Sequence, residues 1–170
     1  MSVRLDGDIR KLVKTLKNFE NANFTAIDTN FSKINKNIAQ SLRTSTLDRF
    51  KRQESPENKK WEKRKYGNNR KKLLKNTGTL RNSIKSKADK KIATVGTNLE
   101  YASTHQFGVK NRRIKAKNSK LLKFKIGNRW VSAKEVIVNI PARPFLGISE
   151  EDKEEIKDVL DFYVKKAIEG

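Results

Sequence analysis

The segment at residues 140–147, Ile-Pro-Ala-Arg-Pro-Phe-Leu-Gly, constrains the fold of this chain more than any other. Pro141 and Pro144 fix their own φ angles and push the residues before them towards extended geometry. A strand that precedes this segment cannot continue directly into a helix, so the chain must cross a stiff connector, which we call the elbow. The elbow is either a structural corner between a sheet and a helix, or a docking surface for a partner. In the second case its contact residues are Pro141, Arg143, Pro144 and Phe145.

The chain carries a large excess of positive charge and no cysteine. Among its 170 residues, 40 are lysine or arginine and 19 are aspartate or glutamate, which gives a formal net charge of +21. Such charge favours polyanionic partners, namely nucleic acid, anionic lipid or an acidic protein surface. Without cysteine, neither a disulfide framework nor a thiolate metal site can form. The length predicts one domain over residues 1–170.

The sequence also predicts where the protein is made. No apolar run approaches the roughly 20 residues that a membrane span needs. The N-terminus lacks the apolar core of a signal peptide. We therefore expect synthesis in the cytosol and no membrane partner.

Two apolar stripes with steps of three and four residues predict an N-terminal helical hairpin over residues 1–52. The first stripe comprises Leu5, Ile9, Leu12, Leu16 and Phe19. The second predicts a longer helix from about residue 23 to residue 50, and it comprises Phe24, Ile27, Phe31, Ile34, Ile38 and Leu42. We expect both stripes to form core or a subunit interface rather than a chemical site.

A lysine-rich linker spans residues 59–75, with nine basic residues, one acid and two aromatics, Trp61 and Tyr66. Basic residues interleaved with aromatic rings can bind a phosphate backbone and stack on bases. The alternative, which we favour, is a solvated loop that one aromatic residue pins to the core. If the linker faces a partner or DNA, its candidate contact residues are Arg64, Arg70 and Lys71.

The pattern from residue 73 onward predicts an antiparallel sheet of about four strands with a short inserted helix, over residues 73–148, and a closing helix over residues 149–168. Ser149 is placed to cap this closing helix, and the acidic residues at its start suit the helix dipole. Together with the N-terminal hairpin, these elements predict the α+β class.

Within the sheet region, alternation of apolar and polar residues predicts the first strands. The pattern at residues 80–85 predicts one strand, and a turn at Asp89 leads into a second at residues 92–97. The short helix is expected between Asn98, as its cap, and Gly108, as its stop.

The segment at residues 109–125 holds eight basic residues and no acid. Its first half lacks periodicity and predicts a flexible loop or a hairpin arm, whereas alternation at Leu122, Phe124 and Ile126 predicts a strand. These cations are expected to lie against an anionic partner, which is either DNA or the surface of an adjoining subunit. The candidate contact residues are Arg112, Arg113, Lys115, Lys117 and Lys120.

The sequence offers little catalytic chemistry. His105 is the only histidine, so neither a Cys-His pair nor a multi-histidine metal site can form within one chain. No glycine pattern of a nucleophile elbow surrounds Ser83 or Ser103. We predict that His105 makes structural hydrogen bonds, that no cofactor or metal is bound, and that the protein is not an enzyme.

Three segments of the chain resemble the signatures of one family. They are Thr77-Gly78-Thr79-Leu80-Arg81-Asn82-Ser83-Ile84, then Val95-Gly96-Thr97 with Tyr101-Ala102 and His105-Gln106-Phe107-Gly108, and finally the elbow. In this order and spacing they resemble the phage virion morphogenesis, or tail-completion, family, typified by the Mu-like G protein. The resemblance spans residues 73–168.

The resemblance implies a structural virion protein at the head–tail junction of a tailed phage or phage-like particle. It further implies a homo-oligomeric ring, hexameric or dodecameric, between the connector or adaptor and the tail terminator, with DNA nearby in the channel. The alternative is a free nucleic-acid-binding protein that uses the basic residues of the linker and of residues 109–125. The two differ in how strongly duplex affinity depends on salt.

Overall fold

A 29-residue helix, α1 (Phe24–Arg52), forms the support on which the last helix and two strands of a sheet pack. Its apolar residues recur every three or four positions, and Ile34, Ile38 and Leu42 are buried. The predicted helix over 23–50 is therefore confirmed. The computed structural model describes residues 2–5, 24–64, 72–117, 120–127 and 129–169. Among these, helices and antiparallel strands occur together, which confirms the α+β class.

The first four described residues form a strand rather than a helix. Strand β1 (Ser2–Leu5) pairs antiparallel with β3 (Ala93–Gly96), with Val3 opposite Val95. Assigning Leu5 to the first helix of the hairpin was therefore wrong, because its backbone joins a ladder with a segment nearly ninety residues away. The rest of that predicted helix, from Asp6 to Phe19, lies outside the described residues.

The β1 ladder belongs to a three-stranded sheet in the order β1-β3-β2, where β2 is Lys85–Ala88. The predicted hairpin between β2 and β3 is confirmed. Its turn is held by the carboxylate of Asp89, which accepts hydrogen bonds from the backbone N–H groups of Lys91 and Ile92 at 2.7 and 2.9 Å. The sheet packs on α1 through the buried side chains of Ala93 and Val95.

The predicted strand at residues 80–85 is wrong over most of its length. Residues Thr79–Asn82 form a single helical turn, α2, which starts after Gly78 at φ 79°. Leu80 and Ile84 are both buried and lie four residues apart, so the apparent alternation there is also one side of a helical turn. The strand begins only at Lys85.

The short inserted helix, α3 (Ala102–Phe107), is confirmed, and so is its stop at Gly108, where φ is 71°. Its predicted cap is wrong. The helix begins after Tyr101 without a side-chain cap, and the N–H of Ala102 instead bonds to the carbonyl oxygen of Leu99.

Residues 109–140 form a nested antiparallel hairpin, which we call the arm. Strand β4 (Val109–Lys115) pairs with β7 (Glu135–Ile140), and β5 (Leu122–Ile126) pairs with β6 (Arg129–Ala133). Of the two structures predicted for residues 109–116, the hairpin arm is therefore right and the flexible loop is wrong. Periodicity is absent because the register shifts between Val109 and Arg112.

The strands do not join into one sheet of four. They divide into the three-stranded sheet and the two strand pairs of the arm. The chain then crosses the elbow into the last helix, α4 (Glu150–Glu169), which confirms the predicted closing helix. Helix α4 packs on α1 through Ile156 and Leu160. In the described part of the chain, no helix is both long and apolar enough to cross a bilayer.

Candidate assembly interface

The elbow is attached to α3 by the backbone and by one amide side chain. The N–H of Arg143 donates to the carbonyl oxygen of His105 at 2.7 Å. The buried Gln106 accepts from the N–H groups of Phe145 and Leu146, both at 3.0 Å, and donates to the carbonyl oxygen of Leu146 at 2.7 Å. One side chain thus supplies three hydrogen bonds to a stretch of backbone that has no secondary structure of its own.

A buried ion pair lies beneath the other end of the elbow. Arg49 of α1 contacts Asp152 of α4, and their side chains are 1% and 2% exposed. Arg49 also donates to the carbonyl oxygens of Phe145 and Gly147, at 3.3 and 2.8 Å. Asp152 and Ser149 cap α4 reciprocally, each side chain accepting from the other's N–H. The pair therefore joins α1, the elbow and α4.

The start of the lysine-rich linker braces the outer side of the elbow. The indole N–H of Trp61 donates to the carbonyl oxygen of Pro144 at 2.8 Å, and Nε of Arg143 donates to that of Glu62 at 3.0 Å. Trp61 is buried and meets Phe50 edge-on, with ring centroids 5.7 Å apart. It pins the linker to the core and cannot stack on a base.

These contacts decide what the elbow offers to a partner. Phe145 is fully buried against Phe50, and Arg143 is 7% exposed. Burial lowers the pKa of Arg143, although the carboxylate of Glu62 opposes that shift. Neither side chain is presented at the surface, whereas Pro141 and Pro144 remain half-buried. The segment is built as a structural corner, and the residues that it leaves accessible include Pro141, Ala142 and Pro144.

His105 lies in α3, next to the elbow. Its ring meets Tyr101 edge-on at 6.0 Å, and Nδ1 is buried without a hydrogen-bond partner. Among the described residues, the expected structural hydrogen bond is made by the backbone carbonyl of His105, while Nδ1 of its ring makes none. Burial lowers the pKa of His105, and the nearby guanidinium of Arg143 lowers it further.

This pKa shift predicts a pH-dependent stability. Below about pH 6.5 the unfolded chain takes up a proton that the folded chain refuses, so the free energy of unfolding should fall as the pH drops from about 6.5 to 5. His105 is the only histidine in the sequence. We therefore expect His105→Phe to flatten the dependence in that window, as measured by urea denaturation at each pH. An equally steep slope in the variant would contradict the assignment.

The predicted cationic contact residues lie mostly on the arm. Arg112, Arg113 and Lys115 are exposed on β4, and Lys117 and Lys120 are exposed in the segment between β4 and β5. Arg112 bonds to Thr104 at 3.3 Å. Arg113 and Lys115 approach Glu135, at 3.4 and 3.6 Å. Exposed pairs of this kind contribute little to stability, so these cations remain available to a partner.

Of the lysine-rich linker, only the first part is described next to the basic residues of the arm. Arg64 lies beside the arm and donates to the carbonyl oxygen of Lys72 at 3.1 Å. Tyr66, Arg70 and Lys71 lie outside the described residues.

The arm also carries an apolar groove, which sequence reasoning missed. In the ladders, Ile114, Val136 and Val138 share one face of the β4–β7 pair, and Leu122 and Phe124 share one face of the β5–β6 pair. Both faces line a groove with a volume of about 770 Å³. Lys63, Arg64 and Lys123 also line it. An open apolar groove with cations in its lining is typical of a site for a protein partner.

The chain that forms this groove and this elbow matches a known protein family. A sequence model of the phage virion morphogenesis family matches residues 8–165, which is most of the chain. The chain belongs to the phage virion morphogenesis family. Its role is therefore structural, in the assembly of a phage virion. No curated protein and no solved structure matches it significantly.

In this virion morphogenesis protein, the segments that carried the resemblance contact one another. Ser83 of the first segment bonds to Thr97 of the second at 2.7 Å. Gln106 joins the second segment to the elbow. A side chain at Gly108 would place Cβ 2.7 Å from the backbone nitrogen of Ala142, so only glycine lets α3 approach the elbow this closely. The residues of these motifs are therefore the ones that hold the corner together.

Sequence signals for the missed residues do exist. Arg49 extends the apolar stripe of α1, since it follows Leu42 by seven residues, and a charge at such a position indicates a buried partner. Asp152 stands three residues after Ser149, which is the spacing of a capping box. Among the described residues, no group of three or more histidine, aspartate or glutamate side chains could hold a metal ion.

Proposed function

We propose that this protein is a tail-completion or neck component that acts at the head–tail junction by docking between larger assemblies. Its partners are the connector or adaptor on one side and the tail terminator on the other. Family membership supports a role in virion assembly. The observation that carries the finer proposal is the arm, which extends from the packed core and bears both exposed cations and an open apolar groove.

The arrangement suits docking rather than catalysis. The buried polar side chains around the elbow, Arg49, Gln106 and Asp152, are used to hold backbone and cap a helix. They fix the corner from which both the arm and α4 depart. We propose that several copies form a ring around the DNA channel, because the arm and the rest of the molecule present chemically different surfaces to a neighbour.

The test removes the cations of the arm without removing its fold. The variant Arg112→Ser/Arg113→Ser/Lys115→Ser/Lys117→Ser is expected to stay folded, because Arg113 and Lys115 are 69% and 71% exposed. We expect its incorporation into particles to fall about tenfold or more, equivalent to roughly 1.4 kcal/mol of lost binding. The measurement is complementation of a phage that lacks the protein, with particles collected and probed for it.

The matched control removes four exposed lysines from the β2–β3 hairpin. The variant Lys85→Ser/Lys87→Ser/Lys90→Ser/Lys91→Ser changes the net charge equally and lies away from the arm. It should enter particles normally. Normal assembly with the arm variant, or equal failure of both variants, would count against docking by the arm.

A second candidate function is that of a free nucleic-acid-binding protein. The arm favours it through charge, because residues 109–140 hold ten basic residues and one acid. A binder of this kind should lose duplex affinity linearly with the logarithm of the salt concentration, with a slope close to the number of phosphates contacted. An assembly component should bind free duplex weakly and depend on the arm for entry into particles.

A further inference from the structure

The charges of this chain are segregated between two surfaces that are both exposed. The arm holds ten basic residues against one acid, whereas α4 holds eight of the 19 acidic residues of the chain against four lysines. Several of these acids point to solvent on the side of α4 that faces away from α1. They are Glu154, Glu155, Asp158 and Asp161.

An aromatic ring lies at the C-terminal end of these acids, one turn before Lys165 and Lys166. Phe162 follows Asp158 by four residues and Glu155 by seven, which puts all three on the same face of α4. Its side chain is 60% exposed. We call Glu155, Asp158 and Phe162 the acidic face. Exposed aromatic residues of this kind are common anchors of protein interfaces, because their burial supplies much of the binding energy.

The groove of the arm has the opposite character. Its lining includes the apolar side chains of Ile114, Phe124 and Val138, which we call the floor, and also Lys63 and Lys123. Its volume of about 770 Å³ leaves room for an aromatic side chain. A phosphate backbone is bound by charges and hydrogen bonds and gains nothing from contact with aliphatic side chains. The groove therefore fits an acidic protein surface with an apolar anchor better than it fits nucleic acid.

We propose that the acidic face of one copy of this chain docks into the groove of a second copy, with the ring of Phe162 on the apolar floor and Asp158 among the lysines that line the groove. This inference rests on the proposed function, of which it names one contact. Because the groove and the acidic face are different surfaces, the contact is head-to-tail. Repetition of such a contact closes a ring when the rotation between copies allows it.

The experiment uses two variants of the full chain that break opposite sides of the contact. The face variant is Asp158→Lys/Phe162→Ser, and the groove variant is Lys123→Glu/Phe124→Ser. A control, Glu100→Lys/Tyr101→Ser, also removes one acid and one exposed aromatic residue, but from the turn before α3. Circular dichroism first establishes that all are folded, and sedimentation velocity at physiological salt then measures their association.

We expect the wild type and the control to associate increasingly with concentration, and each interface variant alone to associate about tenfold more weakly or worse. The decisive sample is the equimolar mixture of the two variants. It retains one intact groove and one intact acidic face, so it should form a dimer of one copy of each and grow no further. Growth of the mixture beyond a dimer, or no dimer at all, would overturn the proposal.

The proposed function and this inference can fail separately. If the wild type stays monomeric at every concentration while the serine variant of the arm still fails to enter particles, the contact between copies is wrong and docking in the virion stands. If the groove variant loses affinity for a labelled DNA duplex and associates as the wild type does, the groove serves nucleic acid and the proposal is overturned.

Discussion

Replacing Asp152 with alanine is expected to lower the free energy of unfolding by about 3–5 kcal/mol, because the change leaves the charge of Arg49 buried without its counterion. Both side chains are nearly inaccessible to solvent. The change also removes the carboxylate that accepts from the N–H of Ser149 at the start of α4. The measurement is urea denaturation at pH 7, where a loss of this size is a large fraction of the stability of a domain.

Two further variants separate the ion pair from other effects at the helix start. Glu150→Ala removes an acid from the same turn, but its side chain is 85% exposed, so the expected loss is below about 1 kcal/mol. The double substitution Arg49→Met/Asp152→Leu should recover part of the stability that Asp152→Ala loses, since an apolar pair leaves no buried charge. The recovery is incomplete, because the double variant also lacks the hydrogen bonds of Arg49 to the carbonyl oxygens of Phe145 and Gly147. A small loss in Asp152→Ala would contradict the buried ion pair.

Local sequence signals were enough for the elements whose register is set by their own residues. The apolar stripe of α1 and the serine that caps α4 each lie within the element that they define. The β2–β3 hairpin was predictable in the same way, because Asp89 holds the turn through neighbouring N–H groups. The two prolines likewise indicated a stiff connector between the arm and α4.

The partners of that connector were beyond such signals, because they come from distant parts of the chain. Arg49 reaches Gly147 across 98 positions, and Trp61 reaches Pro144 across 83. The same reason explains the error at β1, whose partner strand lies at Ala93–Gly96. At Leu80 and Ile84 the failure was different, since a four-residue spacing satisfies both the strand period and one helical turn.

The groove of the arm could be found only from the strand pairing in the structure. The alternation in β5 indicates which of its residues share a face, but not that this face lies opposite that of the β4–β7 pair. The candidate cations Arg112, Arg113 and Lys115 were predictable as exposed, because β4 carries almost no apolar residue. The groove, whose basic lining residues include Lys63 and Arg64 of the linker, was not predictable from residues 109–125 alone.

Replacing Gln106 with leucine is expected to cost on the order of 3 kcal/mol or more in the free energy of unfolding. The substitution keeps the volume of the side chain and removes all its polar atoms. The N–H groups of Phe145 and Leu146 and the carbonyl oxygen of Leu146 then lose their partner in a buried position. Each unsatisfied buried backbone group costs about 1–3 kcal/mol, less whatever the elbow recovers by shifting. Chemical denaturation at neutral pH measures the loss.

Ser103→Ala is the matched control on the same helix, since that hydroxyl is exposed and bonds only to the carbonyl oxygen of Glu100 among the described residues. It should change stability by no more than about 0.5 kcal/mol. If Gln106→Leu were as mild, the backbone N–H groups of Phe145 and Leu146 would have to be satisfied by water, since a guanidinium such as that of Arg49 only donates hydrogen bonds. The conformation of residues 105–108 would then be set by the close approach of Gly108 to the elbow, and not by the side-chain amide of Gln106. A large loss assigns the stiffness of the corner to Gln106, because the prolines restrict only φ and leave the direction of the carbonyl groups to be fixed by hydrogen bonds.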